Sequence, residues 1–419
     1  MAEGSLPNRW GIALAAVIMQ ICLGAVYGWS VFVKPLIAAE HWKLTDVSLT
    51  FTIAIVFLGF GTVIGGLWLD RVGPRLVATV AGVLYGIGYM VAGIGATRDS
   101  LTIIYIGYGV LGGIGMGMGY ICPVATLVKW FPERRGMMTG IAVCGYGFGA
   151  LIMSPIAARA IIAHGVSWTF WVLGIVYLIL VVITAQFYAN PPQGWKPEGW
   201  EPRSAVAKAA STYNYGVAEA MGTWQFWLLW VMLFLNVSAG IMIISQASPL
   251  AQQLVHMTPV AAAGIVGLIS IFNGLGRIFW SWMSDMIGRA RVYFLLYLVQ
   301  VILFFMLPRL QNVTLFTGAL MLIGLCYGGG FATMPSFTAD FFGPKYMGGI
   351  YGWILLAWGA AAIPSPILIA HVRQNTGTYA PAINVIAVVM LVSLVLPLLV
   401  RRPSKARVAV PAAAAGSAS

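Results

Sequence analysis

The chain is 419 residues long, with 60% hydrophobic and only 8% charged residues and a mean hydropathy of +0.90. A water-soluble domain carries roughly 25% charge and about half apolar residues, so the composition excludes an ordinary soluble enzyme and assigns the chain to a membrane. The net charge of +12 would suggest nucleic acid in a soluble domain; here its distribution reports topology, and no nucleic-acid partner is expected.

The polar start ends at Trp10, and the apolar run 11–36 that follows is longer than a signal-peptide core and has no small-residue cleavage site, so it is expected to remain as the first helix. Runs of about 20 apolar residues suffice to cross a hydrocarbon core. Eleven more follow, at 49–69, 76–95, 101–127, 137–162, 167–188, 223–250, 258–283, 291–307, 314–338, 347–370 and 380–400. The long hydrophilic stretch from Asn190 to Met221 splits them six and six. The expected organisation is therefore an N-terminal six-helix bundle (1–189), a cytoplasmic linker (190–221), a C-terminal six-helix bundle (222–402) and a disordered tail (403–419).

An N-terminus in the cytoplasm puts sixteen basic residues on the inner side, among them Arg71, Arg75, Arg134, Arg135, Lys196, Arg203, Lys208, Arg289, Arg291, Arg402, Lys405 and Arg407. Only Lys34, Lys43, Arg98, Arg309 and Arg373 then fall on outer connections. This bias predicts both termini inside a plasma membrane, the inner membrane in a bacterium. The four cysteines (Cys22, Cys122, Cys144 and Cys326) each lie in an apolar stretch and read as small core residues; no metal spacing and no cofactor are expected.

Two internal echoes indicate halves that share a fold. Gly66-Leu67-Trp68-Leu69-Asp70-Arg71-Val72-Gly73-Pro74-Arg75 stands between the second and third helices, and Trp282-Met283-Ser284-Asp285-Met286-Ile287-Gly288-Arg289 between the eighth and ninth. Trp130-Phe131-Pro132-Glu133-Arg134-Arg135-Gly136 is matched by Phe341-Phe342-Gly343-Pro344-Lys345-Tyr346-Met347-Gly348. An aspartate at a helix end can bind neighbouring helix ends while glycine lets the chain turn sharply, so Asp70, Arg71, Gly73, Asp285 and Arg289 are the candidate conformational latches.

Over nearly its whole length the chain resembles the major facilitator superfamily, whose loop signature G-x-x-x-D-R-x-G-R-[RK] is matched by Gly66, Asp70, Arg71 and Gly73, with Pro74 departing from it. The resemblance implies an all-α membrane protein of twelve transmembrane helices, arranged as two pseudo-symmetric six-helix bundles that rock about a central cavity. Two such bundles make a monomer sufficient.

Ionisable groups at membrane depth are costly and usually functional. All 11 acids lie in loops or near helix ends. Arg277 stands eight residues before Asp285, about 12 Å along the helix, with no acid at i±3 or i±4. Its missing partner is expected to be a substrate carboxylate, held by the two-pronged guanidinium; the alternative is an arginine satisfied by backbone carbonyls across the bundle. Asn273, one turn earlier, points to the same side. Tyr27, Tyr120, Tyr327, Trp353 and Trp358 are candidate cavity walls, since rings can enclose an organic body while phenols donate hydrogen bonds. The run Gly112-Gly113-Ile114-Gly115-Met116-Gly117 lies inside a span and reads as close helix packing, not a nucleotide loop.

Within the superfamily the chain resembles the monocarboxylate porters and the oxalate/formate exchangers. The resemblance rests on Gly24-Ala25-Val26-Tyr27-Gly28-Trp29-Ser30, the Trp130 to Gly136 run and Asn273-Gly274-Leu275-Gly276-Arg277. It implies that Arg277 is the substrate arginine. Oxalate exchangers carry a second cation where this chain has Trp358, and proton-coupled animal porters carry an acid where it has Asn273. One central cation suits one carboxylate. The expected activity is thus proton-linked symport of small monocarboxylates such as lactate or pyruvate, without covalent chemistry, with exchange of organic anions as the alternative and a non-transporting receptor as a different class.

Overall fold

In hydrocarbon every backbone N–H and C=O must be satisfied within the spanning segment, which an apolar run achieves by coiling into a helix. The computed structural model of the protein describes residues 6–40, 42–192, 194–201 and 214–403, and these are helical apart from their connections. Twelve helices among them are long and apolar enough to cross a membrane: α1 (Arg9–Gly28), α2 (Thr45–Val72), α3 (Pro74–Thr97), α4 (Leu101–Trp130), α5 (Arg135–His164), α6 (Val166–Ala185), α7 (Trp224–Leu254), α8 (Gly264–Ile287), α9 (Arg289–Arg309), α10 (Val313–Phe342), α11 (Met347–Thr376) and α12 (Ala380–Leu399). The expected disordered tail and the linker positions Arg203 and Lys208 lie outside the described residues, apart from Pro403.

Side-chain caps mark several helix starts. Asn8 accepts from the Trp10 N–H ahead of α1, Thr223 from Phe226 ahead of α7, and Asn312 from Thr314 and Leu315 ahead of α10. The ends of α2 and α8 fall on Gly73 and Gly288, with φ of +89° and +95°, where any side chain would be strained. These are the corresponding glycines of the two echoed loops. Two predicted runs are less regular than the sequence suggests. The first tightens to a 3-10 turn at Ala25–Gly28 and resumes as a helix over Ser30–Glu40. In α4, Tyr105–Gly112 is wound as a π-helix.

The helices form two sets of six. In the first half α2 packs on α4 and α3 on α6; in the second α8 packs on α10 and α9 on α12. The halves meet chiefly through α2 against α11 and α5 against α8, a pairing that exchanging the halves maps onto itself. The α5–α8 contact brings Arg277 to the interface.

Candidate functional site

Close approach of α5 and α8 depends on missing side chains. A Cβ added at Gly140 would lie 2.5 Å from the Arg277 carbonyl oxygen, and one at Gly147 would lie 2.9 Å from the Gly274 Cα. Helices this close place Arg277 directly against the α5 backbone. Its guanidinium is fully buried. Nε donates to Asn273 Oδ1 at 3.2 Å and Nη1 to the Val143 carbonyl at 2.9 Å, whereas Nη2 has no hydrogen-bond partner. Among the described residues Arg277 forms no ion pair. A backbone carbonyl thus does contribute, but it satisfies only one prong.

An aromatic box encloses the guanidinium. Its Cζ lies 5.7 Å from the Tyr146 ring centre and 5.5 Å from that of Phe331, within cation–π range. Tyr146 meets Tyr27, Tyr120 and Trp358 edge-on at 5.5, 5.3 and 5.6 Å, and Trp358 in turn packs on Phe331 at 4.8 Å. Tyr327 adjoins Phe331 at 5.2 Å. Tyr27 and Tyr120 thus join the cluster through the Tyr146 ring that faces Arg277. The hydroxyls of Tyr27 and Tyr120 are buried and unpartnered, like Nη2. Buried polar atoms in native proteins normally have partners, so three unmatched groups around one cation describe a place for an acceptor.

Six of the seven candidate wall and binding residues come together here: Arg277, Asn273, Tyr27, Tyr120, Tyr327 and Trp358. Trp353 does not. It is half-buried, makes no ring contact with the cluster, and lies about 140° around α11 from Trp358, as a five-residue offset requires. Sequence reasoning missed Tyr146, Phe331 and the Val143 carbonyl. The available signal for Tyr146 was its place between Gly145 and Gly147, which let α5 come close to α1 and α8 respectively. It also missed two buried amides in matching roles: Gln20 of α1 donates to the Tyr120 carbonyl at 3.3 Å, and Asn236 of α7 to the Tyr327 carbonyl at 3.2 Å. Each holds the helix that carries a tyrosine of the cluster.

The echoed loops bind across the halves. Asp70 accepts from the N–H groups of Gly348 (3.1 Å) and Gly349 (2.6 Å) in the first turn of α11. Asp285 accepts from Gly136 (3.0 Å) and Met137 (2.8 Å) in the first turn of α5. Both carboxylates satisfy otherwise orphaned helix-start donors and lie at the positive end of the helix dipole. The second latch is the stronger: Arg289 pairs with Asp285 at 2.7 Å and with Asp340 at 3.1 Å, and Arg135 pairs with Asp340 at 3.1 Å. At the position of Arg289 the first half has Pro74, and Arg71 is exposed and forms no ion pair among the described residues, so Asp70 has no counterpart of the Arg289 pair there.

The sequence model of the major facilitator superfamily matches residues 16–366 and 265–418. The chain is 30% identical over 357 residues to a protein of Escherichia coli (strain K12) described as the uncharacterized MFS-type transporter YhjX, covering 85% of this chain and 86% of that one. It is 28% identical to the oxalate:formate antiporter of Oxalobacter formigenes (90% and 88% covered) and 26% identical to apicoplast pyruvate carrier 1 of Toxoplasma gondii (63% and 58% covered). Among solved structures, the transporter FucP in its outward conformation superposes with a TM-score of 0.74 at 14% identity, over 94% of this chain and 99% of that one. The chain belongs to the major facilitator superfamily and is a multi-pass membrane transporter of that family.

Proposed function

We propose that the protein carries small monocarboxylates of the lactate and pyruvate type across the membrane by alternating access, together with a proton. One observation carries the reading: Arg277 is wholly buried with one guanidinium nitrogen unpartnered, and the unpartnered hydroxyls of Tyr27 and Tyr120 flank it. An arginine at a helix centre costs about 2.5–3.5 kcal/mol on insertion scales, a cost that an anionic partner offsets. A carboxylate takes two parallel charge-assisted bonds from such a fork. The Trp358, Tyr146 and Phe331 rings leave an apolar wall for a short carbon body. With one cation and one carboxylate the loaded site is neutral, and a co-transported proton keeps the cycle from moving an uncompensated charge.

In this reading the protein works as a monomer in a plasma membrane, the inner membrane in a bacterium, with both termini cytoplasmic. The Asp70 and Asp285 contacts close the cytoplasmic end until the substrate-loaded halves rock. Exchange of organic anions is the second reading, favoured by the likeness to the oxalate:formate antiporter. Against a dianion stands Trp358, an uncharged residue opposite Arg277, which would leave the second carboxylate unpaired in a low-dielectric cavity.

The test is uptake of labelled L-lactate into proteoliposomes with and without an imposed inward proton gradient, with unlabelled pyruvate, acetate and oxalate as competitors. Symport predicts accumulation driven by the gradient and blocked by monocarboxylates but not by oxalate. Uptake that ignores the gradient and requires internal oxalate or formate would replace it with exchange.

A further inference from the structure

A seam of buried hydroxyls runs from Arg277 to the latch at Asp285. On α8, Ser281 and Ser284 follow Arg277 by one and two turns. On α10, Thr333 stands one turn after Gly329, where an added Cβ would lie 2.3 Å from the Trp280 ring of α8. It also stands one turn before Ser336, whose hydroxyl is 3.3 Å from that of Thr139 on α5. All five residues are buried.

The echoed loops align the two halves. Laying Asp70 over Asp285 puts Gly66 opposite Ser281 and Leu69 opposite Ser284; laying Trp130 over Phe341 puts Cys122 opposite Thr333 and Ala125 opposite Ser336. Four hydroxyls of the α5–α8–α10 seam therefore have none at the matched positions. Opposite Arg277 stands Thr62, whose hydroxyl is satisfied by the Gly59 and Gly352 carbonyls at 2.7 and 3.0 Å. On the polar side, Thr139 is committed to the Arg135 and Gly136 carbonyls, Ser336 adjoins Thr139, and Ser284 donates to the Ser281 carbonyl. Ser281 Oγ and Thr333 Oγ1 have no hydrogen-bond partner, although both residues are fully buried. Buried hydroxyls normally have one.

We propose that this seam is the route of the substrate carboxylate between Arg277 and the cytoplasm, with Ser281 and Thr333 donating hydrogen bonds to it once the Asp285 latch opens. That the cargo is a small carboxylate rests on the function proposed above; the route rests on the asymmetry of the two seams. A carboxylate has about four lone-pair sites, of which a guanidinium fork fills two. Hydroxyls fill others without adding a charge that would trap the anion. In the latched state α5 covers Ser281: a Cβ at Gly136 would lie 2.4 Å from its carbonyl oxygen and one at Gly140 3.1 Å from its Oγ. The two donors therefore serve the cytoplasm-facing state.

The first test compares half-saturating L-lactate for uptake into right-side-out and inside-out membrane vesicles carrying the wild type, Ser281→Ala or Thr333→Val. The valine keeps the side-chain volume and removes only the hydroxyl. Each variant is expected to raise the ratio of the inside-out to the right-side-out value about five-fold. An unchanged ratio, as a merely structural role would give, overturns the proposal. The second test needs no lactate. An anionic, membrane-impermeant methanethiosulfonate is applied to inside-out vesicles carrying Thr333→Cys, and the labelled positions are read by peptide mass spectrometry. The introduced thiol is expected to react about ten-fold faster than the native Cys122 at the matched position of the same molecule; equal labelling overturns the route. If wild-type vesicles take up lactate from neither face, the monocarboxylate reading fails and the labelling still decides the route.

Discussion

In the proposed function, Asn273 sets what Arg277 is free to bind. Its amide oxygen accepts from Nε at 3.2 Å and orients the fork without neutralising it. Replacing it by aspartate supplies an internal counter-ion, so Asn273→Asp should raise the apparent KM for lactate at neutral pH by about ten-fold, the effect of roughly 1.4 kcal/mol of competing interaction. The sign of the pH dependence follows. Protonating the new carboxyl releases Arg277, so the variant should recover as pH falls, and a KM that stays at the wild-type value would show that Arg277 does not meet substrate. Trp358 offers the complementary test: Trp358→Lys adds a second cation facing the first, and oxalate should then inhibit lactate uptake where it does not in the wild type. Failure of oxalate to inhibit a correctly reconstituted variant would separate Trp358 from the substrate.

At the scale of helices, the α5–α8 crossing sets the geometry of the site. Alanine is the better helix former by about 1 kcal/mol, but a methyl at Gly147 would press on Gly274, and overpacking costs about 1–3 kcal/mol. Gly147→Ala should therefore lower the thermal midpoint of the purified protein and impair uptake. Gly267→Ala, on the same α8 but with nothing within 4 Å of the new methyl, should not lower it. A midpoint unchanged in Gly147→Ala would mean the crossing tolerates a wider spacing. The spans themselves were legible because each needs about 20 apolar residues. The 3-10 turn at Ala25–Gly28 and the π-helix at Tyr105–Gly112 were not, since both come from tertiary packing on a sequence that also suits a regular helix.

Across the whole molecule two carboxylates placed by the repeated loop add to the helix packing that joins the halves. Asp70 and Asp285 could be singled out from the echo, because an aspartate before a turn has few other uses at that depth. Their partners could not, since the α11 and α5 helix starts lie 278 and 149 residues away and become neighbours only in the folded chain. Arg277 was likewise legible from its lack of a nearby acid, whereas Tyr146, Phe331 and the Val143 carbonyl depend on the α5–α8 and α8–α10 packing. Each latch presents a charged acceptor to two helix-start donors, a contact of about 1–2 kcal/mol. Asp70→Asn with Asp285→Asn should thus shift the population toward an opened end by about ten-fold or more. Maleimide labelling of Cys144, which follows the Val143 contact of Arg277 and is 7% exposed, should accelerate accordingly. Unchanged labelling would contradict a latch role.

The proposed function requires of Arg277 both its charge and its shape. Initial uptake of labelled L-lactate should be compared between wild-type and Arg277→Lys proteoliposomes under the same inward proton gradient and at matched protein content. Lysine keeps the positive charge but not the planar fork, so most transport should be lost while the variant remains folded; uptake equal to the wild type would contradict the pairing of substrate carboxylate with Arg277.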